Sequence, residues 1–515
     1  MAKTARAAGR GGRHGAAGSA AARRASNAKR GGAQNAAKWT LYALAMVAGV
    51  LALRLFVNAL ELLPVNFDEA QYWAYGQELD WGYFSKPPGV GAVIRLATDL
   101  GGNSLFTLRL PSALAHALIA GGLFLLGRRL FDAATGFWAA AAYTAAPGVT
   151  VSAMIMSTDP VMMAAWILAM IFWARAADGG RTTDWALMGL MIGLGALAKY
   201  TMLAMPVAAV GYGLFSARGR DWRGAGNAAA VAMLVLSPNL FWNASNGFAT
   251  VFHVAEDADP GKGYFNPGSL AEFMGAQLGV IGPVVFVAIL VAFWRRRDWI
   301  GDWRMRMLAW QTGLLLFTII ALSFLTRAQP NWAAPAYVAG SLFAVAWLRQ
   351  AGFARFLRWQ MVAGVAGAVL LYGLAALYAG RADTLLRPTD PYKKMRLSEP
   401  FCDRALAAMA EEGADVLLST SRKRLSECMF LGSLGWDEVA IWHPRGRAAN
   451  HHEMAAALQP GDERRMLVAV MGDAERIVRR FEAAREVDSG RFATHRDRDY
   501  GYSLWVVEGF RGYVE

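Results

Sequence analysis

The sequence predicts a membrane protein of the all-α class, with about eleven transmembrane helices and a small C-terminal α/β domain outside the cytoplasm. Three observations support this fold class. The chain is 55% hydrophobic and only 18% charged, whereas a soluble domain has about 45–50% apolar and about 25% charged residues. The apolar residues are concentrated in blocks between Trp39 and Tyr378. Basic residues recur in every second loop between these blocks.

The N-terminal segment, residues 1–37, is rich in Ala, Gly and Ser and contains many basic residues but no acidic ones. This composition predicts a disordered cytoplasmic tail. The tail is longer than the basic region of an ordinary signal peptide, and no small-residue cleavage site follows the first apolar block. We therefore expect an uncleaved first helix.

Residues 38–380 form the predicted transmembrane domain. About twenty apolar residues are needed to cross about 30 Å of hydrocarbon. The fourth, fifth and sixth apolar blocks are shorter than this, and we expect them to tilt or to continue into their flanks. The eleven blocks are Trp39–Leu62, Ser104–Leu126, Ala133–Met154, Pro160–Ala174, Trp185–Ala198, Met202–Phe215, Ala225–Phe241, Leu270–Phe293, Met307–Phe324, Trp332–Trp347 and Trp359–Tyr378.

The charges of the loops predict the orientation. Arginine clusters stand in alternate loops, at 128–129, 175–181, 218–223, 295–297 and 349–358, and the loops between them are less basic and carry acids. By the positive-inside rule, the N-terminus is cytoplasmic and an odd number of spans places the C-terminal domain in the periplasm. The largest outer loops are 63–103 and 242–269. The net charge of +13 thus fits a protein of the inner membrane, and no nucleic-acid partner is expected.

Residues 381–515 have the pattern of a small α/β domain. Four short apolar runs alternate with helix-like stretches, of which Arg404–Glu412 and Asp473–Ala484 are the clearest. Cys402 and Cys428 are the two cysteines of the chain, and a disulfide between them is plausible if the domain is periplasmic. The neighbouring histidines at 451 and 452 have no further ligand at metal spacing, and we expect a solvated surface pair.

The first outer loop contains the most informative segment of the chain. Asp68 and Glu69 are adjacent carboxylates just after a membrane helix, and aromatic residues that include Tyr72 and Tyr83 follow them. Lys86 then precedes two prolines. An aromatic belt at the membrane interface explains the aromatics, but it does not explain the acids together with the lysine. A rigid lysine suits a phosphate, and a nearby carboxylate could remove a proton from a hydroxyl group.

Four other outer segments contain candidate residues. Asp159 follows Ser and Thr and precedes Pro160, an arrangement that is also typical of a helix N-terminus. Lys199 stands at a helix end, where a lysine usually extends its amine toward the interface. Arg327 stands in an outer turn, which suggests an anionic partner. His253 is a lone histidine, and such residues are more often structural. The candidates in these segments are Asp159, Lys199 with Tyr200, Arg327 with Asn331, and His253.

These segments resemble a known family. The run from Asp68 to Trp73, with the run from Asp80 to Pro88, is similar to the first-loop motif of family-39/83-type glycosyltransferases of the GT-C superfamily. This superfamily includes the protein O-mannosyltransferases and the lipid A aminoarabinose transferase. The segments 157–160, 195–200 and 330–335 also match in order and spacing. The resemblance covers about residues 60–345, and its variant of the first loop is most similar to enzymes that add sugars to lipid A and the lipopolysaccharide core.

The resemblance implies an inverting transfer of a sugar from a polyprenyl-phosphate donor to a glycolipid acceptor at the periplasmic face of the bilayer. It implies catalytic roles for Asp68, Glu69 and Asp159, although neighbours on a regular element point in different directions. Donor-phosphate contacts would come from Lys86, Lys199 and Arg327. Substrate contacts would come from Tyr72, Tyr83, Tyr200, His253 and Asn331. No obligatory metal or cofactor is expected, although acids beside a phosphate can recruit a divalent ion.

Other functions remain open at this point. A transporter or flippase of a lipid-linked sugar would place its charges near the bilayer midplane and often contain a repeat, whereas the candidate charges lie on one face and no repeat is visible. A ligand sensor leaves the first-loop motif unexplained. A protein acceptor is an alternative to a glycolipid, but the C-terminal domain lacks the MIR repeats of eukaryotic protein mannosyltransferases.

Overall fold

The computed structural model of the chain describes residues 11–217, 220–252 and 266–513, of which residues 11–31 are described by their backbone only. The described helices up to residue 380 are α1 Gly11–Ala59, α2 Phe67–Gln77, α3 Gly89–Gly101, α4 Leu105–Leu130, α5 Ala133–Thr144, α6 Pro147–Ser152, α7 Thr158–Ala177, α8 Thr182–Ala198, α9 Ala204–Phe215, α10 Trp222–Ser245, α11 Pro267–Val280, α12 Pro283–Trp294, α13 Trp303–Leu325, α14 Ala336–Gln350 and α15 Phe356–Tyr378.

The helices confirm a multi-span membrane architecture. Within the described residues, α4, α7, α10, α13, α15 and the Gly32–Ala59 part of α1 are long and apolar enough to cross a membrane. Together, α11 and α12 pass the same test as one bent pair. The described residues therefore provide six such helices, or seven with the bent pair. The shorter helices α5, α8, α9 and α14 fall on the remaining apolar blocks of the sequence.

Two apolar blocks that the sequence predicts as single helices are broken. The block Leu270–Phe293 bends by 120° between α11 and α12. Gly282 lies there at a φ of +92°, a conformation that glycine adopts without steric cost, and Pro283 starts the next helix. The block Ala133–Met154 is also divided into two helices, with the second starting at Pro147, because proline favours the first position of a helix over its interior.

The first helix begins at Gly11, inside the segment 1–37 for which the sequence predicts a disordered tail. Alanine has the highest helix propensity of the amino acids, and this segment is rich in it. Only the part from Gly32 onward has the apolar character of a span.

The C-terminal domain is α/β, as the sequence predicts. Its described helices are α16 Ser398–Glu411, α17 Arg422–Gly432, α18 His451–Ala455 and α19 Glu475–Val478, and its strands are β1 Val416–Ser419, β2 Val439–Ile441, β3 Met466–Met471, β4 Phe481–His495 and β5 Arg498–Phe510. The strands form one sheet in the order β2-β1-β3-β5-β4, in which β1 is parallel to β2 and β3, while β5 is antiparallel to β3 and β4.

One prediction for this domain is wrong. The stretch Asp473–Ala484, which the sequence predicts to be helical, contains the short helix α19 and then the start of β4. β4 pairs with β5 alone, at the edge of the sheet. Most residues of β4 are exposed, and its charged residues follow no regular alternation with apolar ones. The sequence therefore lacks the alternating pattern that predicts a strand.

The C-terminal domain packs on the first outer loop through one shared apolar core. This core contains Val65 and Trp73 from the loop region together with Phe401 and Phe430 from α16 and α17. A disulfide joins Cys402 in α16 to Cys428 in α17, a bond that the sequence made plausible but did not decide. The loop and the domain therefore form one packed unit above the membrane helices.

Candidate active site

A capping box fixes the start of α2 and thereby the direction of its first side chains. The Asn66 side chain accepts a hydrogen bond from the backbone N–H of Asp68 at 2.9 Å. The carboxylate of Glu69 accepts one from the backbone N–H of Asn66, also at 2.9 Å. Capping satisfies N–H groups that have no partner within the helix. Asp68 is left exposed to a cavity, whereas Glu69 turns into the protein.

Glu69 lies in the core and not at the cavity, so the structure does not support its predicted catalytic role. Its side chain is completely buried. Both carboxylate oxygens accept hydrogen bonds from the guanidinium of Arg109, at 2.9 and 3.0 Å. The backbone N–H of Met156 donates a further bond at 2.7 Å. The carboxylate therefore joins the first loop to α4 and to the segment just before α7, and it has no access to the cavity.

Tyr83 also supports the loop and does not line the cavity, contrary to its prediction as a substrate contact. Its ring stacks on Tyr75 with centroids 4.3 Å apart, and its hydroxyl donates to the carbonyl of Tyr75 at 2.6 Å. The backbone N–H of Tyr83 donates to the carbonyl of Lys86 at 2.9 Å, and the reverse bond measures 3.3 Å. This closed turn holds the Lys86 side chain at the cavity.

The candidate segments meet around one cavity of about 540 Å³. The first loop, the start of α7, the end of α8 and the turn before α14 all contribute to its wall. The structure thus brings together most of the residues that the sequence singles out. Its polar lining consists of Asp68, Tyr72, Ser85, Lys86, Ser157, Thr158, Asp159, Lys199, Tyr200, Thr201, Gln329 and Asn331.

Asp159 contacts cavity residues rather than capping its own helix. One of its carboxylate oxygens accepts a hydrogen bond from the amine of Lys199 at 2.7 Å. The other accepts one from the side chain of Asn331 at 3.3 Å. Ser157, the N-cap residue of α7, makes no side-chain capping bond. The ion pair and the hydrogen bond from Asn331 together connect three segments that are far apart in the sequence.

Tyr200 is held at the cavity by two asparagines of α10. Its hydroxyl donates to Asn239 at 2.6 Å and accepts from Asn243 at 3.1 Å. Asn239 also donates to the backbone carbonyl of Trp81 at 2.6 Å. The first loop and α10 thus share a hydrogen-bond network next to the cavity.

One further described candidate, Arg327, does not reach the cavity. Arg327 has a side chain that is 75% exposed and lies 3.6 Å from Glu272, so the structure does not support its predicted contact with a donor phosphate. Gln329, two residues later, lines the cavity instead. His253 lies outside the described residues.

The charges around Asp68 come from two domains. The protein around Asp68 removes its carboxyl from part of its water, which raises the pKa of this group. The positive charges of Lys86, Arg422 and Lys423 oppose the increase. Sequence reasoning missed Arg422 and Lys423 because they lie in the C-terminal domain. The signal that could have found them is the basic run from Arg422 to Arg424, which is unusual in a segment that the sequence predicts to be periplasmic.

A second cavity of about 420 Å³ adjoins the first and shares Ser157, Asp159 and Asn331 with it. Its other walls are mainly apolar and come from Val149, Met163, Val280, Ile281 and Tyr337. The acidic end of the first cavity therefore opens beside a space suited to hydrocarbon. Within the described residues, no group of three side chains is arranged to hold a metal ion.

The chain is similar to glycosyltransferases over most of its length. Residues 85–242 match the family model described as dolichyl-phosphate-mannose-protein mannosyltransferase. The lipid A galacturonosyltransferase RgtD of Rhizobium johnstonii is 31% identical over 423 residues, which cover 81% of this chain and 88% of that protein. An undecaprenyl phosphate-4-amino-4-deoxy-L-arabinose arabinosyl transferase of Pseudomonas aeruginosa is 28% identical over 345 residues, covering 64% of this chain and 60% of that protein.

A solved structure supports the fold. The crystal structure of ArnT from Cupriavidus metallidurans, bound to undecaprenyl phosphate, superimposes with a TM-score of 0.62 at 16% identity. The match covers 92% of this chain and 98% of ArnT. At this identity the likeness concerns the fold alone, whereas the sequence similarity to the galacturonosyltransferase concerns the family. This chain therefore belongs to the GT-C glycosyltransferase family that includes the protein mannosyltransferases and the lipid A sugar transferases, and it is an enzyme of that family.

Proposed function

We propose that this enzyme transfers a sugar from a polyprenyl-phosphate donor to a glycolipid acceptor, lipid A or the lipopolysaccharide core, at the periplasmic face of the inner membrane. The observation that carries the proposal is the cavity in which Asp68 and Lys86 lie beside the Asp159–Lys199 pair. The names of the relatives favour a uronic acid such as galacturonic acid as the sugar.

Asp68 is the proposed general base. Its carboxylate takes the proton of the acceptor group, whose oxygen then attacks the anomeric carbon of the donor sugar. The bond from that carbon to the phosphate oxygen breaks, and the configuration is inverted. The electron pair leaves with the polyprenyl phosphate. A carboxylate whose pKa is raised is a stronger base than an ordinary aspartate, which favours proton removal near neutral pH.

Cations at the cavity wall stabilise the leaving phosphate. Lys86 is half-buried at the wall, and the turn with Tyr83 restricts its backbone. Lys199 already donates one hydrogen bond to Asp159, but an ammonium group has three donors, so two remain for a phosphate. Fixed cations in a partly dehydrated site stabilise developing negative charge more strongly than they do in water.

The remaining cavity residues fit the substrates. Tyr72, Tyr200 and Asn331 provide hydroxyl and amide groups for a sugar. The adjoining apolar cavity, which shares Asp159 with the polar one, fits the start of a hydrocarbon chain. We propose no resident metal for this reaction, since the cations of the chain itself provide the positive charge.

We also propose the finer topology. Four short or broken spans are added to the six long helices and the bent pair: α5 with α6, α8, α9 and α14. The resulting eleven spans place the C-terminal domain in the periplasm. The disulfide between Cys402 and Cys428 supports this location, because disulfides persist in oxidising compartments. A reporter that is active only in the cytoplasm, fused at the C-terminus, tests this orientation. Activity of that fusion would contradict the periplasmic location.

Asp68→Asn is the variant that tests the mechanism. The substitution keeps the size and the polar character of the side chain but removes the basic oxygen. We expect turnover to fall by about 10²–10⁴-fold, while donor binding stays near the wild-type value. The assay is transfer from a synthetic undecaprenyl-phosphate sugar to lipid A, with donor binding measured alongside.

Asp99→Asn provides the matched control. Asp99 is an exposed carboxylate of the same outer loop, paired with Arg95 at 2.8 Å, and it does not line the cavity. An exposed pair of this kind contributes little to stability, so this variant should keep normal turnover. Robust turnover by Asp68→Asn would remove the general base from the mechanism, even though the family membership would stand.

A further inference from the structure

The C-terminal domain holds one of its helices against the first outer loop. Phe430 of α17 packs edge-on against Trp73 of α2, with ring centroids 5.6 Å apart. The indole N–H of Trp436 donates to the carbonyl of Ala74 at 3.0 Å. The side chain of Asn103 donates to Ser433, just after α17, at 2.7 Å. These contacts fix the position of α17 relative to the loop that carries Asp68.

Docking of α17 brings two cations to the start of α2. The guanidinium of Arg422 lies 5.4 Å from the ring centre of Phe67, and the amine of Lys423 lies 6.0 Å from it. Phe67 directly precedes Asp68 in the chain, and both cations act electrostatically on the Asp68 carboxyl. The C-terminal domain therefore places positive charge on one side of the proposed base, while Lys86 lies at the cavity wall.

Neither of these two cations forms a direct ion pair with a described residue, although Lys423 is attracted to Asp68 and Glu427 at longer range. Both side chains are half-buried, and neither forms a hydrogen bond or an ion pair with any residue that the structure describes. Arg424, the next residue, differs because it is paired with Glu427 at 2.6 Å. Half-buried cations usually have a counter-charge, since removal from water disfavours an isolated charge. Contact with an aromatic ring replaces only part of the lost hydration.

We propose that Arg422 and Lys423 form a binding site for an oxyanion of the substrate, contributed by the C-terminal domain beside Asp68. The proposal rests on the proposed function. A phosphate of lipid A is one source of the oxyanion, and the carboxylate of a uronic acid on the donor is the other. Arginine and lysine both suit such groups, arginine through a planar pair of donors and lysine through a compact charge.

The proposal assigns a task to the C-terminal domain. An anion held next to Asp68 would align the acceptor oxygen, or the sugar, with the base. The disulfide between α16 and α17 restrains the helix that carries both cations. The domain would thus take part in substrate selection rather than only cover the membrane helices.

The test compares Arg422→Gln, Lys423→Gln and the double variant with the wild-type enzyme. Acceptors are lipid A with its phosphates and enzymatically dephosphorylated lipid A, and donors are undecaprenyl-phosphate galacturonic acid and undecaprenyl-phosphate galactose. Arg476→Gln is the control, because Arg476 is an exposed cation of the same domain on α19, which packs on the opposite face of the sheet from α17.

The two sources of the oxyanion predict different results. If the site binds an acceptor phosphate, the KM for phosphorylated lipid A should rise about ten- to hundredfold, with kcat and thermal stability near wild type. The KM for dephosphorylated lipid A should not change. If the site binds the sugar carboxylate, the same rise should appear in the KM for the uronic acid donor but not for the galactose donor. Either result supports the oxyanion site.

Two results would overturn it. One is unchanged KM values for all four substrates. The other is an equal loss with all substrates, because this would indicate a structural role. Binding of phosphorylated lipid A to the purified protein in nanodiscs is measured in parallel, with wild-type and double-variant protein. A wild-type protein that transfers no sugar to lipid A contradicts the proposed function, and the binding comparison still decides whether the cations hold an anion.

Discussion

Replacing Glu69 by glutamine tests whether this residue stabilises the fold or takes part in the reaction. In the structure, the carboxylate receives four hydrogen bonds, two from Arg109 and one each from the backbone N–H groups of Asn66 and Met156. Both charged side chains are almost completely buried, with exposed fractions of 0% for Glu69 and 2% for Arg109. The pair joins the first outer loop to the start of α4.

The geometry sets the size of the effect. Glutamine keeps one acceptor oxygen, but its amide N–H₂ would face groups that are themselves donors. The guanidinium of Arg109 would also remain buried without a counter-charge. Removing one partner of a buried ion pair costs about 3–5 kcal/mol. We therefore expect Glu69→Gln to lower the stability of the protein by about this amount, and to lose activity only as a consequence of unfolding.

The measurement is thermal unfolding of the purified protein in detergent, followed by intrinsic tryptophan fluorescence, with turnover measured below the transition. Arg109→Gln should destabilise to a similar extent. The double variant should be less unstable than the sum of the two single effects, since contacting residues are energetically coupled. Asp68→Asn is the companion control, because the exposed Asp68 carboxylate has no comparable set of partners.

The opposite pattern would refute this reasoning. If Glu69→Gln unfolds at the wild-type temperature but has lost turnover below the transition, Glu69 has a catalytic task that its burial does not reveal. Normal stability in Arg109→Gln would contradict the structural role of the pair in the same way.

Three further predictions concern the site and the outer domain. Lys86→Ala should weaken binding of the undecaprenyl-phosphate donor about ten- to hundredfold, and unchanged binding in the purified variant would exclude the phosphate contact. Because the pKa of the Asp68 carboxyl is raised and the base must be unprotonated, kcat/KM should fall as the pH drops through this raised pKa. Removal of an opposing cation in Arg422→Gln should shift that acid limb to higher pH, and an unshifted limb would argue against the electrostatic contact. Replacing both Cys402 and Cys428 by serine opens a loop with a sequence separation of 26, and by the loop-entropy relation this should destabilise the outer domain by about 3.5 kcal/mol. Thermal unfolding under oxidising conditions measures the loss of stability, and an unchanged unfolding transition would contradict the prediction.

The sequence by itself determined the class of the protein and most of the cavity. Hydrophobic blocks and alternating arginine loops can be recognised without tertiary contacts, because each reflects the interaction of a short segment with the bilayer. The same alternation predicts that the segments with Asp68, Asp159, Lys199 and Asn331 lie on one side of the membrane. The structure brings these four residues to one cavity.

Only the tertiary structure decided which neighbouring residue serves the cavity and which serves the core. Successive residues on a helix point about 100° apart, so the sequence could not tell Asp68 from Glu69 until Arg109 was placed opposite one of them. The bend at Gly282 and the edge strand β4 depend in the same way on packing that short patterns do not record.

The contribution of the C-terminal domain was the least predictable feature. Arg422 and Lys423 approach Asp68 only because α17 docks on α2, and no local pattern near either segment encodes that contact. Residues distant in the chain meet through burial of a shared apolar surface, here between Trp73 and Phe430. Such surfaces depend on shape and packing density as well as on residue type, and these properties appear only in the folded molecule.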